Sequence, residues 1–229
     1  KKVGMEPTGD PFNSLMKLEN TDSSPYNPMI NAGAIVVASC LASEISFDTM
    51  LDTIRALCMD PDINLDKKVY HSEMSHISRN RAIAYLLESK GYIEKNKDVE
   101  NSLHFYVKMC SLSVTAESLA GLGLILANDG IHPDTGKRLL SSQAVKIVKT
   151  LMFTCGMYDG SGEFAVRVGI PSKSGVGGGI LSVVDGEMGI GIFGPALDKK
   201  GNSVAGECVL EYMSHELHLH MFDPQRHTL

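Results

Sequence analysis

The first 28 residues show no sustained apolar period and are rich in Pro, Gly, Asn and Ser, which predicts an ordered coil over 1–28. From Met29 the pattern turns helical. Residues 31–40 are small and apolar on every side, the mark of a buried helix. Ser46 can cap a second helix over 47–59, whose inner face carries Met50, Leu51, Ile54 and Leu57. Charges and Pro61 make residues 60–68 a loop. A third helix is predicted over 72–90, closed by Gly91 in the left-handed conformation, and a fourth over 98–109. Thr115 can cap a fifth over 116–127, stopped by Asn128-Asp129-Gly130, and Ser141 a sixth running to about Thr154.

After Cys155 the character changes. Glycines crowd residues 160–179, and two apolar runs, 180–184 and 188–193, flank Asp185-Gly186. A tight-turn dipeptide between such runs predicts a β-hairpin. Residues 164–169 read as a strand before it, 198–202 as a turn, and 203–220 as a closing amphipathic helix. Helices first and antiparallel strands later describe an α+β fold. The chain divides on this reading into a coil (1–28), a helical lobe (29–154) and a lobe of strands with a closing helix (155–229).

Composition adds exclusions. The 229 residues are 43% apolar and 21% charged with a net charge of -6, which suits a folded core and not a disordered chain. The basic residues are dispersed, so no footprint for nucleic acid is visible. No run approaches the ~18 apolar residues of a membrane span, and no signal peptide is visible. Cys40, Cys58, Cys110, Cys155 and Cys208 are odd in number and widely spaced, which predicts reduced core thiols and a cytoplasmic setting. The opening Lys1-Lys2-Val3-Gly4 looks like the middle of a protein.

Several side chains are candidates for chemistry. Glu73 and Asn80 are seven apart, nearly two turns on one predicted helix face, a spacing that suits a clamp for ammonium and carboxylate groups and equally a solvated polar face. Lys173-Ser174-Gly175 resembles one of three signatures of penicillin-recognising serine enzymes. A glycine-rich strand edge lets a substrate approach closely and presents N–H groups to a developing oxyanion, although the same glycines could serve only to bend a strand. Ser14-Leu-Met-Lys17 fits the Ser-x-x-Lys pattern in which a neutral lysine takes the serine proton, a pattern short enough to arise by chance. Tyr158, at the predicted helix-to-strand junction, can shuttle protons or be a half-buried aromatic. His215, His218 and His220 lack the spacing of a metal group and read as a solvent-facing terminal helix.

Taken together, residues 6–14 (Glu-Pro-Thr-Gly-Asp-Pro-Phe-Asn-Ser), 27–35 (Asn-Pro-Met-Ile-Asn-Ala-Gly-Ala-Ile), Ser72-Glu73 with Arg79-Asn80, Cys155-Gly-Met-Tyr158, 173–179 (Lys-Ser-Gly-Val-Gly-Gly-Gly) and Gly201-Asn-Ser-Val204 resemble the serine-dependent glutaminases of the β-lactamase-like superfamily, nearer the bacterial branch. The resemblance runs in order along nearly the whole chain. It implies a β-lactamase/transpeptidase-like fold and hydrolysis of L-glutamine to L-glutamate and ammonia through a glutamyl-enzyme ester. It implies that Asn31, Glu73, Asn80 and Tyr106 hold the amino-acid end of the substrate. The catalytic roles then fall to Val176, whose N–H would form half of an oxyanion hole, and to Tyr158, which would assist proton transfer. It implies no metal or organic cofactor, and assembly as a homodimer or tetramer. In the family the nucleophilic Ser-x-x-Lys precedes the Val-Gly-Met-Glu-Pro-Thr-Gly stretch, which here starts at Val3, so Ser14 and Lys17 are not assigned as catalytic. The expectation is a biological protein longer by roughly 70–100 residues, a missing start that also carries the first sheet strands. Two other readings stay open on the residues alone: an amino-acid-binding domain that keeps the clamp without a nucleophile, and a penicillin-type peptidase or β-lactamase.

Overall fold

The structure is a computed structural model that describes residues 2–14, 24–95 and 98–225. The α+β fold expected from the chain is what is found. The chain forms two compact units, one built from Lys1–Ile54 and Asp62–Ser113, the other from Arg55–Pro61 and Val114–Leu229.

The first unit begins as coil, two stretches of which are laced by backbone hydrogen bonds from Gly4 N–H to Pro25 O (2.7 Å) and from Glu6 N–H to Tyr26 O (2.9 Å). Helix α1 (Asn31–Ala42) follows, then α2 (Phe47–Cys58), whose end belongs to the second unit. Ser46 does cap α2, its hydroxyl accepting from Thr49 N–H at 3.1 Å. The predicted loop over 60–68 contains a two-residue strand, β1 (Asn64–Leu65), and the start of α3 (Lys67–Ser75), because Asp66 caps α3 by accepting from the N–H groups of Lys68 and Val69. Helix α4 (Ser78–Ser89) ends at Gly91, left-handed at φ 78°, as expected. Helix α5 (Val99–Cys110) is capped by Asp98, and β2 (Leu112–Ser113) pairs antiparallel with β1. The core gathers Ile35, Val36, Ile83, Leu87, Leu103 and Val107 from α1, α4 and α5. Each such side chain contributes about 2 kcal/mol on burial.

The single helix predicted over 72–90 is two helices. Ser72 O, which should accept the His76 N–H, is instead engaged by Ser75 Oγ (2.7 Å) and His76 Nδ1 (2.9 Å), and His76 N–H turns to Glu73 O at 3.1 Å. A serine hydroxyl and an imidazole stand where the ladder bond would be, and the chain turns at Ile77, which is 3% exposed in the core.

The second unit opens with α6 (Ala116–Ala127), where Thr115 and Ser118 form a reciprocal cap, and α7 (Ser142–Cys155), capped by Ser141. A 3-10 turn (Tyr158–Gly160) leads into α8 (Ser161–Arg167). Residues 164–169 are therefore not the strand expected. Phe164 and Val168, four apart, are buried, and Val166 is 80% exposed, which is helical spacing that the alternation of apolar residues concealed. The sheet has three antiparallel strands in order β3 (Ser172–Ser174), β4 (Gly179–Val184) and β5 (Met188–Phe193). The predicted hairpin is present: Val184 faces Met188, and Gly186 turns the chain at φ 75°. Helix α9 (Val204–Glu216), capped by Ser203, closes the unit four residues earlier than expected.

Helix α6 packs on β4 and β5, so it groups with the sheet and the compact units do not follow the composition shift at Cys155. The reason is backbone contact. A methyl group on Gly191 would stand 1.8 Å from Ala116 O, and one on Gly189 would stand 2.1 Å from Ala120 O. None of the five cysteines is in a disulfide, but only Cys58 and Cys155 are buried, while Cys110 and Cys208, expected in the core, are exposed. Burial, with Asp60 nearby, pushes the Cys58 thiol up to about 11. Among the described residues no single helix is long and apolar enough to cross a membrane.

Candidate functional site

In the first unit the N-terminal coil positions Asn31. Asn27 is buried, its amide donating to Glu6 O (2.8 Å) and its Oδ1 accepting from Met29 N–H (2.9 Å), which fixes the entry to α1. Gly33 lies against this turn so closely that a methyl group would stand 1.9 Å from Asn27 O. The first residue of α1 is Asn31, whose N–H donates to Phe12 O at 3.1 Å. Its side-chain amide donates to Asn80 Oδ1 at 2.9 Å, joining α1 to α4 between two half-buried side chains. The pair leaves Asn31 Oδ1 and the Asn80 amide for a ligand, an acceptor and a donor side by side.

Glu73 and Asn80 do not share a helix face, contrary to the spacing argument. Glu73 lies on α3 and Asn80 on α4, because the helix breaks at His76 and Ile77. The Glu73 carboxylate is exposed and makes no ion pair among the described residues. Tyr106, on α5, is half-buried against the same core. Ser14 is half-buried in the coil, and Lys17 lies outside the described residues.

In the second unit α7 ends against β3. A methyl group on Gly156 would stand 1.8 Å from Ser172 O, and Gly156 O accepts from Ser174 N–H at 3.0 Å. Two residues on, Tyr158 adopts φ 51°, a strained backbone for a bulky side chain. That conformation turns the phenol to β3, where its hydroxyl donates to Ser174 O at 3.1 Å. The Lys173 ammonium lies 4.5 Å from the centre of the Tyr158 ring and also donates to Ser174 O. Ser174 Oγ is buried and has no hydrogen-bond partner among the described residues.

Beyond Ser174 the strand edge becomes a tight loop. Gly175 N–H donates to Gly179 O and Gly178 N–H to Gly175 O, both at 2.9 Å, with Gly178 at φ 94°. This loop presents Val176, 51% exposed, and its N–H makes no hydrogen bond among the described residues. The Lys-Ser-Gly triplet pointed to this edge. It did not reveal Lys173 over the phenol or the orphaned Ser174 hydroxyl, which depend on where the left-handed residue sends Tyr158.

The histidine group is not a helical one. His215 is exposed on α9, but α9 ends at Glu216, His218 is left-handed at φ 53° with Nδ1 3.1 Å from Asp223, and the His220 ring lies against Gly169. Among the described residues no three His, Cys, Asp or Glu side chains are grouped as metal ligands.

Comparison with known proteins follows the same order of motifs. The family described as Glutaminase matches residues 1–222. A glutaminase of Fusobacterium nucleatum is 54% identical over 225 residues, covering 96% of this chain and 73% of its own length. A crystal structure of a Bacillus glutaminase superposes with a TM-score of 0.90 at 42% identity, covering 96% of this chain and 76% of its own. A Bacillus subtilis glutaminase, solved as a covalent complex with 5-oxo-L-norleucine, superposes with a TM-score of 0.81 at 40% identity over 86% of this chain and 70% of its own. With a match over nearly its full length and relatives at this identity, the chain belongs to the glutaminase family.

Proposed function

We propose that the protein to which this chain belongs hydrolyses L-glutamine to L-glutamate and ammonia through a covalent glutamyl ester on a serine. The single observation that carries the reading is the family match over residues 1–222, and the covalent complex of the B. subtilis relative supports the ester. The nucleophile belongs to the Ser-x-x-Lys segment that precedes the Val-Gly-Met-Glu-Pro-Thr-Gly stretch in the family pattern.

The serine oxygen attacks the side-chain amide carbon of glutamine, and the carbonyl oxygen takes on negative charge. The N–H of Val176, without a partner among the described residues, offers that oxyanion a donor, and losing one such donor costs about 3 kcal/mol of barrier. Tyr158 passes the serine proton to the departing nitrogen, which leaves as ammonia. Water then attacks the ester, giving glutamate and regenerating the serine. The Lys173 ammonium beside the phenol opposes the negative charge that develops when Tyr158 gives up its proton. Asn31, Asn80 and Tyr106 hold the amino-acid end, and the Glu73 carboxylate faces the substrate ammonium.

Ammonia release from glutamine by the full-length protein, lost in Tyr158→Phe and reduced through a higher KM in Glu73→Gln, is the expected result. Unchanged turnover in both variants overturns the reading. Glutamine binding by calorimetry without turnover points instead to a binding domain, and acylation by a labelled β-lactam to a penicillin-type enzyme. The same reading expects a cytoplasmic setting, which five cysteines outside any disulfide support, and a homodimer or tetramer. Light scattering on the purified protein reads the assembly.

A further inference from the structure

A continuous helix would fix the spacing of Glu73 and Asn80 by itself, but the break at His76 and Ile77 removes that constraint. What remains is α5, against which both α3 and α4 pack. On α5 two polar side chains four residues apart, hence on one face, reach the two helices separately. Glu100 takes the guanidinium of Arg81, the residue after Asn80, in a paired contact of 2.8 and 3.0 Å. His104 reaches α3, its Nδ1 lying 2.6 Å from the hydroxyl of Tyr70, with the two rings 6.3 Å apart.

Helix α3 needs such a tie. It has nine residues and no buried one, and only Tyr70 and Met74 rest against the core cluster. Glu73 stands three residues beyond Tyr70, so the two are neighbours on the helix surface. A rotation of α3 about its axis that parts Tyr70 from His104 swings the Glu73 carboxylate by the same angle. The core contacts alone are a weak brake on that rotation, because apolar contact is not directional. The 2.6 Å hydrogen bond is directional.

We propose that His104, through its hydrogen bond to Tyr70, is a positioning residue that orients α3 and so aims the Glu73 carboxylate at the substrate ammonium. The proposal rests on the role given to Glu73 above. It concerns how the amino-acid end is gripped and not the bond-breaking steps, so its signature lies in KM.

The test is steady-state hydrolysis of glutamine by the full-length protein. Y70F and H104L raise KM on the order of tenfold while kcat stays within about twofold of the parent. H104N restores most of the affinity, because its amide stands where the imidazole Nδ1 stands. In the E73Q background Y70F adds no further rise, since a residue acting through Glu73 has nothing left to aim. An unchanged KM in Y70F, a fall confined to kcat, or effects of Y70F and E73Q that multiply each overturn the proposal while the role of Glu73 stands. An unchanged KM in E73Q overturns the role of Glu73 itself, and the positioning role with it. If Y70F does not fold, H104N against H104L decides alone, with equal KM values counting against the proposal.

Discussion

Asn31 and Asn80 are joined by one side-chain hydrogen bond of 2.9 Å, and Glu73 rides on a short helix with no buried residue. Tyr158 and Val176 are placed differently. Their positions follow from backbone pressed against backbone: α7 against β3 at Gly156, α6 against β5 at Gly191, and a glycine loop closed on itself between Gly175 and Gly179. Glycine contacts of this kind admit no intermediate setting, because a methyl group either fits or separates the elements. Side-chain ties can be lengthened, replaced or released one at a time. The proposed grip on the substrate therefore lies in the more adjustable unit, where Asn31, with Gly33 against Asn27 O, is held by backbone contact but Asn80 and Glu73 depend on side-chain ties, and the proposed reacting groups lie in the more rigid one.

The largest expected effect tests the rigid unit's chemistry. Tyr158→Phe removes only a hydroxyl, so the fold persists while kcat of the full-length protein falls by about 10²-fold or more, read as ammonia release. Retained folding with retained kcat would deny Tyr158 its role. Gly191→Ala tests the backbone contact. Its methyl would stand 1.8 Å from Ala116 O, and the strand must move off α6 at about 3 kcal/mol, read in urea unfolding. A variant as stable as the parent would show that this unit yields as readily as the other. Asn80→Ala probes the adjustable unit. The Asn31 amide loses its acceptor, which costs about 1 kcal/mol of stability together with a higher KM for glutamine.

The smallest effect is electrostatic. Hydrogen bonds from Arg81 hold the Glu100 carboxyl below its ordinary range. A lowered carboxylate contributes stability that is present above the ordinary glutamate range near pH ~4.3 and is lost as pH falls through the lower folded value. Melting temperature should thus fall with acid below about pH 4 and fall less steeply in Arg81→Gln, where Glu100 loses the partner that lowers it, and the difference is small because the pair is partly exposed. Identical acid slopes in the two proteins would remove the pair from any part in holding α4.

Local chemistry carried most of the element boundaries. Ser46, Thr115 and Ser141 cap the helices they precede, Gly91 ends one, and Asp185-Gly186 turns the hairpin. These features depend on a side chain within three or four residues of the backbone group it satisfies, and that range is visible in the sequence. The failures share a different cause. Residues 164–169 alternate like a strand, yet Val166 faces solvent because Phe164 and Val168 are the pair that the core accepts. The predicted helix over 72–90 breaks where a serine hydroxyl and an imidazole take the carbonyl of Ser72, a competition that hydrophobic spacing does not register.

The order of the motifs, read from the sequence alone, was enough to determine the family and the α+β class. Tertiary structure alone decided that Glu73 and Asn80 sit on separate helices, that Asn31 is the partner of Asn80, and that Lys173 lies over Tyr158. It also assigned α6 to the unit of the sheet. The physical reason is range: caps and turns are settled by neighbours in the chain, whereas these placements were settled by glycines and hydrogen-bond partners whose positions exist only once distant segments have packed.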